Sequence, residues 1–161
     1  YTNDRITNIR THAFQYCGSL ISVDLPKVTS IGSHAFQYCG SLTSINLPKV
    51  TSIENFVFEN CSSLISVDLP KVTSIGSYAF NYCSSLTKLI IRTTTQVCTL
   101  GSNAFDSCYH ILGTTDATYN PSGLKDGYIY VPDELVDSYK SATNWRRYAS
   151  QIKPLSEYVE E

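Results

Sequence analysis

The fold is decided by residues 20–41, which read LISVDLPKVTSIGSHAFQYCGS. The pattern returns every 22 residues, and its cysteine marks the period at Cys17, Cys39, Cys61 and Cys83. Phenylalanine keeps the same spacing, at Phe14, Phe36, Phe58 and Phe80. Two residue types that hold one spacing over four copies indicate tandem repeats, in which each unit buries its apolar face by stacking on its neighbours.

The repeat pattern also divides the chain into segments. A further copy runs from Leu86 to Cys108 and is three residues longer in the region 93–96. The stretch 129–132 (IYVP) then repeats the spacing of 23–26 (VDLP), which brings the count to five strand registers. We therefore predict repeats over residues 1–111, the first incomplete, an insertion loop over 112–127, and a last strand plus helical C-terminal cap over 128–161, together forming one domain.

Each unit contains a short strand followed by a turn or helix. In residues 22–25 polar and apolar side chains alternate, so Val23 and Leu25 face the core and Asp24 faces water. Pro26 should end the strand, since it cannot donate a ladder hydrogen bond. Residues 32–39 predict a turn at Gly32-Ser33 and a short helix that carries Ala35, Phe36 and Cys39.

This unit predicts an α/β fold. A 22-residue period lies within the range of roughly 20–29 residues for leucine-rich repeats. The expected architecture is a right-handed solenoid with a parallel sheet on its concave face and short helices or turns on its convex face.

The C-terminal segment predicts helices that close the last repeat. Pro132 is followed by Asp133 and Glu134, acidic residues that favour a helix N-terminus. Two apolar stripes at helical spacing follow, at Leu135, Val136 and Tyr139 and at Trp145, Tyr148, Ala149 and Ile152. Asn144 is a candidate N-cap for the second helix, and Pro154 should end the helical pattern.

Composition limits the possible partners. The 161 residues include 12 Lys and Arg against 14 Asp and Glu, which gives a net charge of −2 and no basic surface for nucleic acid. The apolar runs are far shorter than the roughly 20 residues of a membrane span. Aligning Ile9 with Ile31 starts the chain in the middle of a repeat, without Met, so we expect further repeats or an export signal upstream.

Five of the six cysteines share one repeat position, which predicts an inward-facing ladder of small apolar side chains. Free thiols are the favoured interpretation and a disulfide is the alternative, since neighbouring Cα atoms approach disulfide range. No C-x-x-C pair is present, so we predict no metal site. Cys98 lies off the ladder and is the one candidate for a reactive thiol.

Two other clusters could carry chemistry. His12 and His34 share a position and could stack or chelate a metal, but Phe56 and Tyr78 at the same position favour packing. Asp24 and Asp68 lie two registers apart, about 9–10 Å, near the upper separation of an inverting glycosidase pair. An open sheet does not desolvate a carboxylate as such catalysis requires, so we predict no catalytic residue and no cofactor.

The exposed strand positions give the candidate binding face. One column reads Ser22, Ser44, Ser66, Lys88 and Tyr128, and the next reads Asp24, Asn46, Asp68, Ile90 and Tyr130. Exposed aromatic and aliphatic side chains are typical of interaction sites, so we predict a ligand-binding surface at Asp24, Asn46, Asp68, Lys88, Ile90, Tyr128 and Tyr130. The alternative is that residues 112–126 fold over Tyr128 and Tyr130, which would make their contacts local packing.

The unit [VI]-x-L-P-K-V-T-S-I-x-x-x-A-F-x-x-C resembles the repeats of BspA-type leucine-rich-repeat proteins, a bacterial surface family also found in some protozoan parasites. Residues 128–132 (YIYVP), 139–145 (YKSATNW) and 152–154 (IKP) look like the usual C-terminal segment of that family. The resemblance implies a non-enzymatic adhesive module at the cell surface or outside the cell, which binds host or neighbouring-cell protein or glycan. We also expect the chain to be a monomer. The alternatives are a structural spacer in a larger surface protein and, less favoured, a carbohydrate-active enzyme.

Overall fold

The computed structural model describes residues 5–112 and 126–160. Each repeat makes one coil, and successive coils are joined by three ladders of backbone hydrogen bonds. The predicted insertion loop falls largely outside the described residues. Of that loop, Leu112, Asp126 and Gly127 are described, and Leu112 ends a short helix, α1 (Tyr109–Leu112).

The first ladder contains the predicted strands. Its strands are parallel, and they are β2 (Ser22–Asp24), β4 (Ser44–Asn46), β6 (Ser66–Leu69), β8 (Lys88–Ile91), β10 (Tyr128–Val131) and β11 (Ile152–Pro154). β2 pairs with β4, and β6, β8, β10 and β11 form one sheet beside them. Lys88 lies opposite Ser66 on one side and opposite Tyr128 on the other. These pairs confirm the predicted parallel registers, and β11 adds a strand that the repeat pattern did not predict.

The second ladder consists of two-residue strands that follow the proline turn. These are β1 (Asn8–Ile9), β3 (Ser30–Ile31), β5 (Ser52–Ile53), β7 (Ser74–Ile75) and β9 (Thr99–Leu100). β1 pairs with β3, and β5, β7 and β9 form a second parallel group. The first residue of each strand is polar and exposed or half-buried, whereas the second is apolar and buried, so this side packs against the same core.

The third side is built from turns, and the prediction of a short helix at Ala35 and Phe36 is wrong. His34 and Tyr38 have positive φ angles of 61° and 60°, which interrupt any helix. Alternate amides instead bond to the next coil, as in the bond from Phe14 N to Ala35 O (2.7 Å). The remaining amides bond within their own coil, as in the bond from Gln15 N to His12 O (3.1 Å), so the backbone donors are satisfied partly between coils and partly within them.

The core is a set of side-chain columns that run along the stack. The phenylalanine rings at one repeat position stack with centroids 5.1–5.6 Å apart, and the column is Phe14, Phe36, Phe58, Phe80 and Phe105. Except for the half-buried Phe14, these rings are fully buried. No unit could bury this face alone, so each coil depends on its neighbours.

The C-terminal segment packs on the last coil. It forms 3-10 helices at Asp133–Leu135, Trp145–Gln151 and Leu155–Glu157 and an α-helix, α2 (Val136–Ser141). Ile152 belongs to β11, so its place in a predicted helical stripe was wrong. Asn144 makes no N-cap hydrogen bond, and its amide instead donates to Leu100 O at 2.6 Å.

Side chains of this segment also bond the backbone of Cys98, the residue that precedes β9. The amide of Cys98 donates to the hydroxyl of Tyr139 at 2.8 Å, and the carbonyl of Cys98 accepts from the indole of Trp145 at 2.6 Å. Trp145 and Tyr148 contact Phe105, with ring centroids 6.1 and 5.5 Å away. The backbone groups that β9 would offer to a further strand are thus partly satisfied by side chains.

Within residues 5–112 and 126–160, no helix combines the length and the apolar character that a membrane crossing requires.

Candidate functional site

The first three registers of the strand face carry small polar side chains. Ser22, Ser44 and Ser66 are exposed, as is Asn46, while Asp24 is half-buried. In-register pairing places Asn46 beside Asp24, and its amide donates to that carboxylate at 2.8 Å. This part of the face is a shallow polar surface whose groups are fixed by their neighbours.

An ion pair joins Asp68 of the third register to Arg92, which follows the strand of the fourth. Arg92 binds the Asp68 carboxylate through Nε and Nη2, at distances of 2.8–3.1 Å. Hydrogen bonding to Asp68 raises the pKa of Arg92 above its usual value. Arg92 also lies 3.3 Å from the Glu160 carboxylate, so it links the strand face to the C-terminal tail.

The structure overturns the prediction that Ile90 and Tyr130 are exposed. Ile90 is 1% exposed and Tyr130 is 9% exposed. The ring of Tyr158 lies against that of Tyr130 with centroids 5.1 Å apart, and Arg92 lies 5.8 Å from the Tyr158 ring centre. Residues 155–160, which we call the tail, therefore contribute to the cover on this part of the face. Of residues 112–126, the alternative cover, 113–125 lie outside the described residues.

Lys88 and Tyr128 remain partly accessible. Both are half-buried, and they lie opposite each other in the register of β8 and β10. The ammonium group of Lys153 lies 4.2 Å from the centre of the Tyr128 ring, within the range of a cation–π contact. Of the seven predicted residues, five are therefore exposed or half-buried, and Ile90 and Tyr130 belong to the packed end.

The predicted histidine column is a ring stack. His12 and His34 lie with centroids 4.8 Å apart, and the stack continues through Phe56 to Tyr78. Asn103 ends it by donating to the Tyr78 hydroxyl at 2.8 Å. No cluster of three metal-ligating side chains is found among residues 5–112 and 126–160.

The cysteine ladder is present, and its thiols are free. Each thiol of the ladder except that of Cys17 donates to a phenylalanine carbonyl of the preceding coil, as in the 3.2 Å bond from Cys61 to Phe36. Burial raises the pKa of Cys39 to about 11 and that of Cys98 to about 12. Cys98 is fully buried, which contradicts the prediction that it is the one candidate for a reactive thiol; Cys17, at the start of the ladder, is exposed.

Exposed tyrosines on the turn side were not singled out from the sequence. Tyr16, Tyr38 and Tyr82 are 68%, 41% and 50% exposed. They share one repeat position with Asn60 and Ser107, so the 22-residue alignment itself holds the signal. Tyr82 lines a cleft of about 290 Å³, together with Tyr78, Asn81, Asp106, Ser107, Leu112 and Arg147.

The pattern of the BspA type leucine rich repeat region matches six copies over residues 3–118 of the chain. The chain belongs to the BspA-type leucine-rich-repeat family. A leucine rich cell surface protein from Faecalibacterium prausnitzii A2-165 has the same fold, with a TM-score of 0.65 and 27% identity over 93% of this chain and 34% of that one. The search of curated proteins found no significant match.

Two further solved structures resemble the repeat region. The leucine rich repeat protein of T. pallidum gives a TM-score of 0.59 and 34% identity over 65% of this chain and 49% of its own. A leucine-rich repeat protein from Bacteroides ovatus ATCC 8483 gives 0.57 and 32% over 65% of this chain and 27% of its own. This BspA-type chain thus spans between about a quarter and a half of the length of these proteins.

Proposed function

We propose that this BspA-type chain is a non-enzymatic recognition module of a cell-surface or secreted protein, and that it binds a protein or glycan of a host or neighbouring cell. The observation that carries the proposal is the strand face, where parallel pairing aligns exposed side chains of successive repeats. The strands lie about 4.8 Å apart, so a ligand can contact several registers at once. The surface location is supported by the likeness to the leucine rich cell surface protein of Faecalibacterium prausnitzii.

The accessible part of the predicted site is the surface through which binding would occur. It comprises Asp24, Asn46, Asp68, Lys88 and Tyr128 and excludes the buried Ile90 and Tyr130. Each contact on such a shallow surface is weak, but repeated contacts on one rigid support add through effective concentration.

We further infer that the coil is right-handed, that the strand face is its concave side, and that residues 128–160 act as a cap. Right-handed crossovers are the rule for parallel strands joined through one side of a sheet. The cap is supported by the packing of Trp145 and Tyr148 on Phe105, the last ring of its column. A solenoid end needs such cover because its core residues would otherwise face water.

The enzymatic alternative finds little support at Asp24 and Asp68. Asp24 accepts a hydrogen bond from Asn46, and Asp68 is paired with Arg92. Both carboxylates are half-buried, and the Asp68 side chain is 44% exposed, which is not the desolvated environment that such catalysis requires. Hydrolase activity on a glycan that is lost in Asp24→Asn would support this alternative against the proposal.

The test is a binding screen of this chain on immobilised extracellular-matrix proteins and a glycan array. Asn46→Arg places a long charged side chain on the strand face, and Thr51→Arg places the same change on the second ladder's side as a matched control. We expect a ligand whose binding falls at least about tenfold in Asn46→Arg, the effect of roughly 1.4 kcal/mol, and stays unchanged in Thr51→Arg. Absence of any ligand would favour the spacer alternative and refute the proposal.

A further inference from the structure

We propose that the cleft beside Tyr82, on the turn side of the coil, binds a neutral pyranose residue of a glycan. This site is separate from the strand face, and the argument for it does not depend on that face. It begins with a break in the repeat at the last coil.

Two aromatic columns of the turn side end at this cleft. One passes through Phe56 to Tyr78, where the next position is Asn103 instead of a ring. The other contains Tyr82, and its next position is Ser107. Asn103 closes its column through the hydrogen bond to Tyr78, whereas the short side chain of Ser107 lines the cleft and leaves open the space that a stacked ring would fill.

The ring of Tyr82 is consequently available on the turn side. Tyr16 and Tyr38 occupy the same repeat position and stack on each other with centroids 4.9 Å apart. Tyr82 is 50% exposed, and within residues 5–112 and 126–160 its ring contacts no other aromatic ring. The apolar C–H face of a sugar ring packs on such a tyrosine face, as another aromatic ring would.

Polar groups for hydroxyl recognition line the same cleft. Asp106 lies 2.7 Å from Arg147, and its side chain is 31% exposed. The carboxylate oxygen nearest Arg147 is buried and accepts no well-aligned hydrogen bond, so this pair is held by charge rather than by hydrogen-bond geometry. The guanidinium also lies 5.9 Å from the Tyr148 ring centre, which helps to fix its position.

The character of the cleft favours a neutral, amphipathic ligand. The charges of Asp106 and Arg147 balance, while together they offer acceptors and donors for adjacent hydroxyl groups. The volume of about 290 Å³ is near the lower end of the roughly 300–1,000 Å³ of small-molecule sites. One sugar ring on a tyrosine, with hydroxyls toward a carboxylate and a guanidinium, uses each of these groups.

The test is an NMR titration in which the amide chemical shifts of the isotope-labelled chain are monitored. The titrants are the methyl glycosides of glucose, galactose, mannose and N-acetylglucosamine. We expect saturable shifts for at least one glycoside, centred on Tyr82 and Asp106. Sodium acetate is the comparison probe for a cleft that binds carboxylates through Arg147. Shifts with acetate alone, or no saturable shift with any glycoside, would overturn the proposal.

Two variants locate the site and one controls for the repeat position. Tyr82→Ala removes the ring on which the sugar would pack. Ser107→Tyr places in the cleft a ring like those of Tyr16, Tyr38 and Tyr82 at the same repeat position. Each variant should weaken binding at least about tenfold, or roughly 1.4 kcal/mol. Tyr38→Ala removes an exposed ring at the same repeat position and should bind normally. Circular dichroism confirms that each variant is folded, and equal binding by Ser107→Tyr and the unmodified chain would place the ligand elsewhere.

Discussion

Removal of one buried hydroxyl should measurably loosen the C-terminal end of the repeat stack. Tyr139 is fully buried, and its hydroxyl accepts the hydrogen bond of the Cys98 amide at 2.8 Å. Thr99 and Gly101 direct their amides to the preceding coil, at 2.9 and 2.7 Å. Cys98 therefore faces the open edge of β9, where the Tyr139 side chain takes the place of a further strand.

The expected cost of Tyr139→Phe follows from this geometry. Phenylalanine retains the ring and its packing, so the cavity left by the substitution is small. The Cys98 amide loses its partner in a buried environment, which costs about 1–3 kcal/mol. For a chain of this length the melting temperature should fall by roughly 2–4 °C for each kcal/mol.

The assay is urea unfolding together with hydrogen exchange at the Cys98 amide. Tyr82→Phe is the matched control because it removes the hydroxyl of a half-exposed tyrosine, which should change stability by less than about 0.5 kcal/mol. Exchange at Cys98 should accelerate in Tyr139→Phe and not in the control.

A second substitution tests whether the two side chains act together. Trp145→Phe removes the indole donor to the Cys98 carbonyl, so the double variant should show a coupling energy of about 0.5 kcal/mol or more. If Tyr139→Phe unfolds like Tyr82→Phe, and the exchange rate of the Cys98 amide is unchanged, the proposed role of these side chains at the edge is refuted.

Stability should fall as pH rises above about 9, because thiols in the unfolded chain ionise near 9.0 whereas burial holds the pKa of Cys39 at about 11 and that of Cys98 at about 12. Urea unfolding from about pH 7 to about pH 10.5 checks this, and a flat profile would contradict it. Ellman's reagent should label the exposed Cys17 rapidly and the buried thiols only on unfolding; persistence of the fast phase in Cys17→Ser would show that another thiol is accessible. Arg92→Ala should free the tail at a global cost of only about 0–1 kcal/mol, seen as faster proteolysis within residues 155–160, and unchanged proteolysis would count against the tie through Arg92.

The strand registers could be predicted because one unit recurs at a fixed spacing. Val23 and the residues 22 positions later face the same core, so the alignment of the copies also aligned the strands. The stacking of His12 on His34 followed from the same alignment. Local chemistry predicted less well: the Gly32-Ser33 pair suggested a helix, but hydrogen bonding between coils favours turns with positive φ at His34.

Other features that escaped prediction lie where the repeat ends. β11 carries no repeat motif, and its strand is formed by pairing with β10. The tail contributes to the burial of Tyr130 and binds Arg92, and its Tyr158 and Glu160 have no counterpart in the units. The C-terminal segment does not repeat the unit, so it cannot be aligned with the repeats, and its long-range contacts could not be predicted from that alignment.

Departures from the repeat therefore have opposite consequences at two places. Tyr130 replaces a polar residue of the strand face, and the ring of Tyr158 in the tail packs against it, so Tyr130 is buried and no open surface results. Ser107 replaces a tyrosine of the turn side, and the adjacent Tyr82 keeps an unstacked, half-exposed ring. In a stack of like units, side chains at one repeat position pack on each other. A binding site should therefore arise where a unit lacks the side chain that would pack on its neighbour and no other segment takes that place. Among the described residues, the cleft at Tyr82 meets both conditions.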